Sequence, residues 1–160
     1  MKFTLPQDAK IVEALSPASD AAGRTGDYVS LKNAGRCFVV CHITQGNAGT
    51  VAITIEQASA VAGTGHKVIT VAVPIWANED CAASDTLVRQ TDAVDFTTSA
   101  ALKHKQVVFE IDPATLDVAG GFDCITVITG ASHADNITSA QYILTDLRYH
   151  AATPPAAITD

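Results

Sequence analysis

Arg36-Cys-Phe-Val-Val-Cys-His-Ile-Thr44, then Gln45-Gly-Asn-Ala-Gly49, then Thr50-Val-Ala-Ile-Thr-Ile-Glu-Gln57, is the stretch that decides the fold. Two runs of β-branched and aromatic residues flank a cluster of turn formers. Gly46, Asn47 and Gly49 tolerate positive φ, so the middle reads as a loop. The expectation is a pair of antiparallel strands, Arg36–Thr44 and Thr50–Gln57, joined as a hairpin. The loop exceeds the two-residue ideal, which leaves the register open.

Working outward, Tyr28–Lys32 is a short strand candidate. Upstream of it, Pro6, Pro17, Gly23 and Gly26 punctuate the chain. Lys10–Leu15 reads as a short strand or a helical turn, and Ser16–Gly26 as a loop, so residues 1–26 are expected to form an extended N-terminal arm. Downstream, His66–Trp76 is a long β-rich run in which Pro74 requires an edge or a strand end. Asp85–Thr91, Val94–Thr98, Gln106–Asp112, Phe122–Thr129 and Gln141–Tyr149 complete the strands. Pro113–Leu116 is a helical turn with Pro at its first position. Residues 151–160 form an extended, polyproline-like tail around Pro154 and Pro155. About eight strands with frequent turn signals and no long helix predict one all-β domain over residues 1–160. It is a β-sandwich of jelly-roll type with extended N- and C-terminal arms.

Composition narrows the function. The chain has 160 residues, 48% of them hydrophobic, enough for one buried core. Its formal net charge is −7, and its basic residues are scattered, which argues against a nucleic-acid backbone as partner. Lys103-His104-Lys105 is the one basic cluster and reads as a solvated turn. Charged residues make up only 17% of the chain, while alanine (27) and threonine (18) abound, a surface suited to being covered by partners. No apolar run approaches the ~20 residues that a bilayer requires. Met1–Asp8 lacks the apolar centre of a secretory signal, so synthesis in a cytoplasm is expected.

Motifs for chemistry are missing. His42, His66, His104, His133 and His150 lie in no metal-binding spacing, and His42 reads as a half-buried, hydrogen-bonded ring. Asp80, Asp85, Asp92 and Asp95 lack calcium-loop spacing. Neither a nucleophile elbow nor a phosphate loop occurs, so no catalytic residue, metal or cofactor is expected. Trp76 suits an edge or an interface. Cys37 and Cys41, four apart on one strand, sit ~13 Å from each other and cannot pair together. Each stays open to a partner such as Cys124, with buried thiols as the default.

Several phrases carry a resemblance: Gly26-Asp-Tyr-Val-Ser-Leu-Lys-Asn-Ala34, Gln45-Gly-Asn-Ala48, Val61-Ala-Gly-Thr-Gly65, Asp85-Thr-Leu-Val-Arg-Gln90, Gly121-Phe-Asp-Cys124, Thr129-Gly-Ala-Ser132 and the Thr153-Pro-Pro155 tail. Over nearly its full length the chain resembles small virion structural proteins of tailed bacteriophages and prophages. The resemblance implies a non-enzymatic capsid decoration (cement) protein. Such a protein binds the major capsid protein on the outer shell, as a trimer or dimer, without nucleic acid or membrane. A tail-tube, head–tail connector or other minor virion role, or a carbohydrate-binding sandwich that attaches the particle to host glycans through Trp76 or exposed tyrosines, are the alternatives. Phe3, Leu5, Ile11, Val12, Trp76 and Ile158 are the candidate interface residues. Cys37, Cys41, Cys81 and Cys124 are candidates for disulfide stapling in the released particle.

Overall fold

The computed structural model describes residues 4–149 and 153–159. Among these residues twelve strands form two sheets, every pairing antiparallel. They are β1 (Lys10–Ser19), β2 (Arg24–Thr25), β3 (Val29–Ser30), β4 (Arg36–Gln45), β5 (Ala52–Ala58), β6 (Lys67–Val68), β7 (Ile75–Asn78), β8 (Val88–Arg89), β9 (Asp95–Thr97), β10 (His104–Ile111), β11 (Cys124–Thr129) and β12 (Asn136–Thr145). The first sheet runs β1-β12-β4-β10-β7-β8. The second runs β2-β11-β5-β6, with β3 beside β11 and β9 beside β5.

These orders are the wrapping of a jelly roll. β1 pairs with β12, β2 and β3 with β11, β4 with β10, and β5 with β9 and β6. A long antiparallel ribbon folded in that way alternates between sheets and closes its Greek keys around one core. The β7–β8 pair extends the first sheet beyond β10. The all-β jelly-roll sandwich expected from the strand pattern is the fold.

The deciding stretch behaves differently from a hairpin. β4 and β5 do not pair; they lie in opposite sheets, and the loop 46–51 carries the chain across the end of the sandwich. β4 alternates throughout and β5 does so up to Gln57. Cys37, Val39, Cys41 and Ile43 face inward from β4, and Ile53 and Ile55 from β5, all fully buried. Two strands whose apolar sets meet across a core gain more burial than two strands lying side by side.

The N-terminal segment is also more regular than an arm with a loop. β1 runs ten residues through Pro17 and pairs along β12, with bulges between Glu13 and Leu15 and between Leu15 and Ala18. Pro17 is tolerated because β1 is an edge strand. A helical turn, Leu5–Asp8, precedes it. Phe3 lies outside the described residues. The His66–Trp76 run splits after Val68 into β6 and β7, one in each sheet, and Pro74 stands just before β7. β12 begins at Asn136 rather than Gln141, and Asp146, with φ 51°, ends it. The tail folds back: Ala157 is buried and its carbonyl accepts from Ser30 N at 2.6 Å.

Two polar devices lock the sandwich. Asp20, fully buried just after β1, accepts from Arg24 Nε (3.2 Å) and one Arg24 terminal nitrogen (3.0 Å), and from the hydroxyls of Thr129 (3.1 Å) and Thr138. Tyr142 reaches inward from β12 to the opposite sheet, where its hydroxyl donates to Asp27 O (2.8 Å) and accepts from Val127 N (3.1 Å). That vacancy exists because the chain leaves β11 after Gly26, whose N still donates to Val127 O (2.8 Å), and Asp27 N instead donates to Ala14 O of β1 (2.9 Å). Gly26 is required there, since a Cβ would stand 2.8 Å from Ala14 O.

Lys105 corrects the reading of its cluster as a solvated turn. It faces inward from β10, fully buried, and donates to Ser99 O (2.6 Å), Ser99 Oγ (2.9 Å) and Glu79 (2.9 Å). Burial alone would raise the Glu79 carboxyl; the hydrogen bonds from Lys105 and Ser99 outweigh it and hold it below the ordinary value.

The disulfide left open between Cys124 and either cysteine of β4 is not made. Cys37 and Cys41 are buried free thiols on the inner face of the first sheet, and Cys124 is buried on β11 of the second. Burial pushes the Cys37 thiol up; burial, and secondarily the Asp20 carboxylate, pushes Cys41 up to about 12. Cys81 is part-exposed, though burial and Asp80 raise it as well. Thiolate is the reactive species, so alkylation follows exposure and pKa together. Native protein treated with iodoacetamide is expected to gain a single adduct, at Cys81, and unfolded protein four. Rapid native labelling of Cys37 or Cys41 in intact-mass spectra would contradict this packing.

Candidate assembly face

The outer face of the first sheet is built by the positions that alternate with the core. Reading across the strands in register, one row is Ile11, Ile143, Phe38 and Glu110. The next is Glu13, Gln141, Val40, Val108, Trp76 and Arg89. A third is Ser139, His42, Gln106 and Asn78. Ile11, Ile143, Phe38, Val40, Val108 and Trp76 thus form one apolar band across five strands. Ile11 is 48% exposed, and the other five are half-buried against one another.

Charge is sparse on this face and already neutralised in places. Glu110 pairs with Arg36. The Arg89 guanidinium lies over the Trp76 ring at 5.4 Å and pairs with Asp92. His42, expected to be half-buried, is exposed here, because its position on β4 is an outward one. Its ring stacks with that of His104 at 6.4 Å, with the planes 5° apart. Around the second sheet, Lys67 pairs with Asp117 (2.6 Å) and Lys32 with Asp123 (3.3 Å), and His66 Nδ1 lies 2.8 Å from the Glu56 carboxyl.

A second apolar feature adjoins the band. The Leu5–Asp8 turn, the start of β1 and the tail form a shallow groove lined by Leu5, Pro6, Ala9, Lys10, Ile11 and Pro154. Lys10 Nζ donates to Pro154 O at 3.1 Å and holds the tail against it.

Of the interface residues named from the sequence, Leu5 and Ile11 therefore meet in one groove, and Trp76 shares Ile11's sheet face at the far side of the band. Ile158 is exposed on the tail. Val12 points the other way and packs on the core, so its role is internal. Phe38, Val40, Val108 and Ile143 escaped the sequence reading. A signal was present: β4 is apolar at Phe38 and Val40 as well as at its inward positions, and a strand apolar on both faces is one that is covered on both.

Among the described residues, no group of three or more His, Cys, Asp or Glu side chains gathers in metal-binding geometry. No helix among the described residues is long and apolar enough to cross a membrane. The molecule these features define is a jelly-roll β-sandwich with one apolar outer face. No family model matches the chain, and no curated protein matches it. Among solved structures it is similar to the SPBc2 prophage-derived protein YomS, with 9% identity, 87% of this chain and 94% of that one covered, and a TM-score of 0.50. It is more distantly similar to a chain of the Triatoma virus empty capsid, with 10% identity, coverage of 97% and 96%, and a TM-score of 0.37. A family 11 carbohydrate-binding module from Clostridium thermocellum follows, with 10% identity, coverage of 88% and 86%, and a TM-score of 0.34. The likeness to YomS is one of fold.

Proposed function

We propose that this chain is a non-enzymatic virion structural protein, and within that class a capsid decoration protein. It lies on the outer surface of the shell, binds the major capsid protein and stabilises the particle. The observation that carries the reading is the charge-poor apolar band on one face of the sandwich, a surface whose burial in an assembly is favourable. The groove of Leu5, Ile11 and Pro154, with the exposed Ile158 nearby in sequence, is the contact to the shell in this reading. Many weak copies acting together stabilise a lattice without any single tight contact. The alternative glycan-binding role for Trp76 loses its main support, because Arg89 already covers the ring that a sugar would stack on.

Particles made with and without the chain provide the test. Particles lacking it are expected to release their genome at lower temperature, and adding purified protein back is expected to restore the intact-particle value. Quantitative mass spectrometry should find the chain in the many copies of a shell lattice. A single ring per particle would instead make it a connector, and absence from purified particles would end the reading.

A further inference from the structure

We infer that the outer face of the first sheet is the contact between two copies of this chain, related by a two-fold axis parallel to the strands. The inference rests on the reading of that face as an assembly surface and names its occupant. An isologous interface must be complementary to itself. The six-residue row that crosses the whole sheet meets this requirement in an ordered way. It begins with an acid, Glu13, on β1, ends with a base, Arg89, on β8, and is apolar at Val40, Val108 and Trp76 between them.

The charges select the axis. A two-fold running along the row would set Glu13 against Glu13 and Arg89 against Arg89. A two-fold parallel to the strands reverses the row. It sets Glu13 of each copy against Arg89 of the other and Val40 against Val108, with Gln141 over the Trp76 ring that Arg89 caps. Glu110 falls opposite Phe38 of the other copy, its charge answered within its own chain by Arg36. Arg89 has donors to spare, since Asp92 and the Gln90 carbonyl engage only part of its five N–H groups. This axis keeps the strands of the facing sheets nearly aligned, the usual packing of two twisted sheets.

Size sets the strength. The fourteen outward positions of the three rows, each about 4.8 Å by 6.8 Å, give roughly 450 Å2 per copy, about 900 Å2 in all. That lies below a standard interface, so dissociation on the order of micromolar is expected in solution. On a shell, where copies are held side by side, such a contact is sufficient.

Sedimentation velocity over roughly 1–200 µM tests this, since that range brackets the expected midpoint. The wild-type chain should shift from monomer to dimer. Glu13→Arg and Arg89→Glu should each weaken the dimer by roughly tenfold or more, because each homodimer then opposes like charges twice. An equimolar mixture of the two variants should form heterodimers at least as tight as the wild type, because every facing pair is opposite again. Val40→Lys, at the centre of the band, should be monomeric throughout. Both charge reversals are at the surface, and unchanged thermal unfolding of the monomers will show that they fold. A wild type that is monomeric at the highest concentration, or a mixture no tighter than its components, overturns the proposal. The two readings fail separately. A chain that dimerises this way but is missing from particles leaves the dimer standing without the virion role, and a particle-bound chain insensitive to the charge reversals does the opposite.

Discussion

Asp20→Ala is expected to destabilise the protein by about 3–5 kcal/mol, the range for deleting one partner of a buried ion pair. Asp20 is fully buried, and every group its carboxylate meets is a donor: two N–H groups of Arg24, the Thr129 hydroxyl and the Thr138 hydroxyl. Its backbone is equally committed, donating to Asn136 O at 2.8 Å and accepting from Ser132 N at 2.7 Å. One residue therefore ties the end of β1 to β2 and β11 of one sheet and to β12 of the other. Removing the carboxylate leaves Arg24 with the Thr138 and Ser16 carbonyls but no anion. Asp20→Asn keeps the shape yet turns an amide nitrogen toward converging donors and leaves the guanidinium charge unanswered, so an intermediate loss of about 1–3 kcal/mol is expected. Urea unfolding of the two variants measures both. A loss below about 0.5 kcal/mol for Asp20→Ala, the level of an ordinary surface change, would mean that this network holds nothing together.

Tyr142→Phe is expected to cost about 1–3 kcal/mol although it removes a single oxygen and opens no apolar cavity. The hydroxyl satisfies two backbone groups on the far side of the core, Val127 N and Asp27 O. Neither has a strand partner to fall back on, because the chain turns away from β11 after Gly26 and Asp27 N donates to Ala14 O of β1 instead. The unfolding midpoint should fall with the denaturant slope unchanged, which marks a loss of stability rather than of compactness. Hydrogen exchange provides a local readout: the Val127 amide should lose protection beyond the global change. Val127 protection that merely follows its neighbours on β11 would show that water or a backbone shift replaces the hydroxyl.

Both residues illustrate how far the chain could be read without its fold. Asp20 stands in a segment of Ser, Ala, Asp and Gly that reads as a loop, and nothing local distinguishes it from Asp8 or Asp27. Its partners Thr129 and Thr138 are more than a hundred residues away. Lys105 misleads in the same manner. Its neighbours Lys103 and His104 suggest a solvated turn, yet alternation along β10 turns it inward, where Ser99 and Glu79 satisfy its ammonium group. A buried cation is tolerated only with such partners, and they are supplied by other strands and loops. The assembly face was half legible. Leu5, Ile11 and Trp76 stand out singly as apolar residues near ends and edges, whereas the band that links Ile11 to Trp76 exists only once the register of five strands is set.

What the sequence by itself determined is the material of the fold. Alternating β-branched runs, turn clusters at Gly46–Gly49 and Gly120–Gly121, and a proline at the start of β7 specify short strands and an all-β sandwich. These are local properties, set by backbone sterics and a period of two. Only the tertiary structure decided that β4 and β5 face each other across the core instead of pairing, that β1 belongs to a sheet, and that Glu13 and Arg89 end one row. Those outcomes depend on which apolar faces meet and which strands share an edge. That choice minimises exposed apolar surface over the whole chain, and no stretch carries it alone.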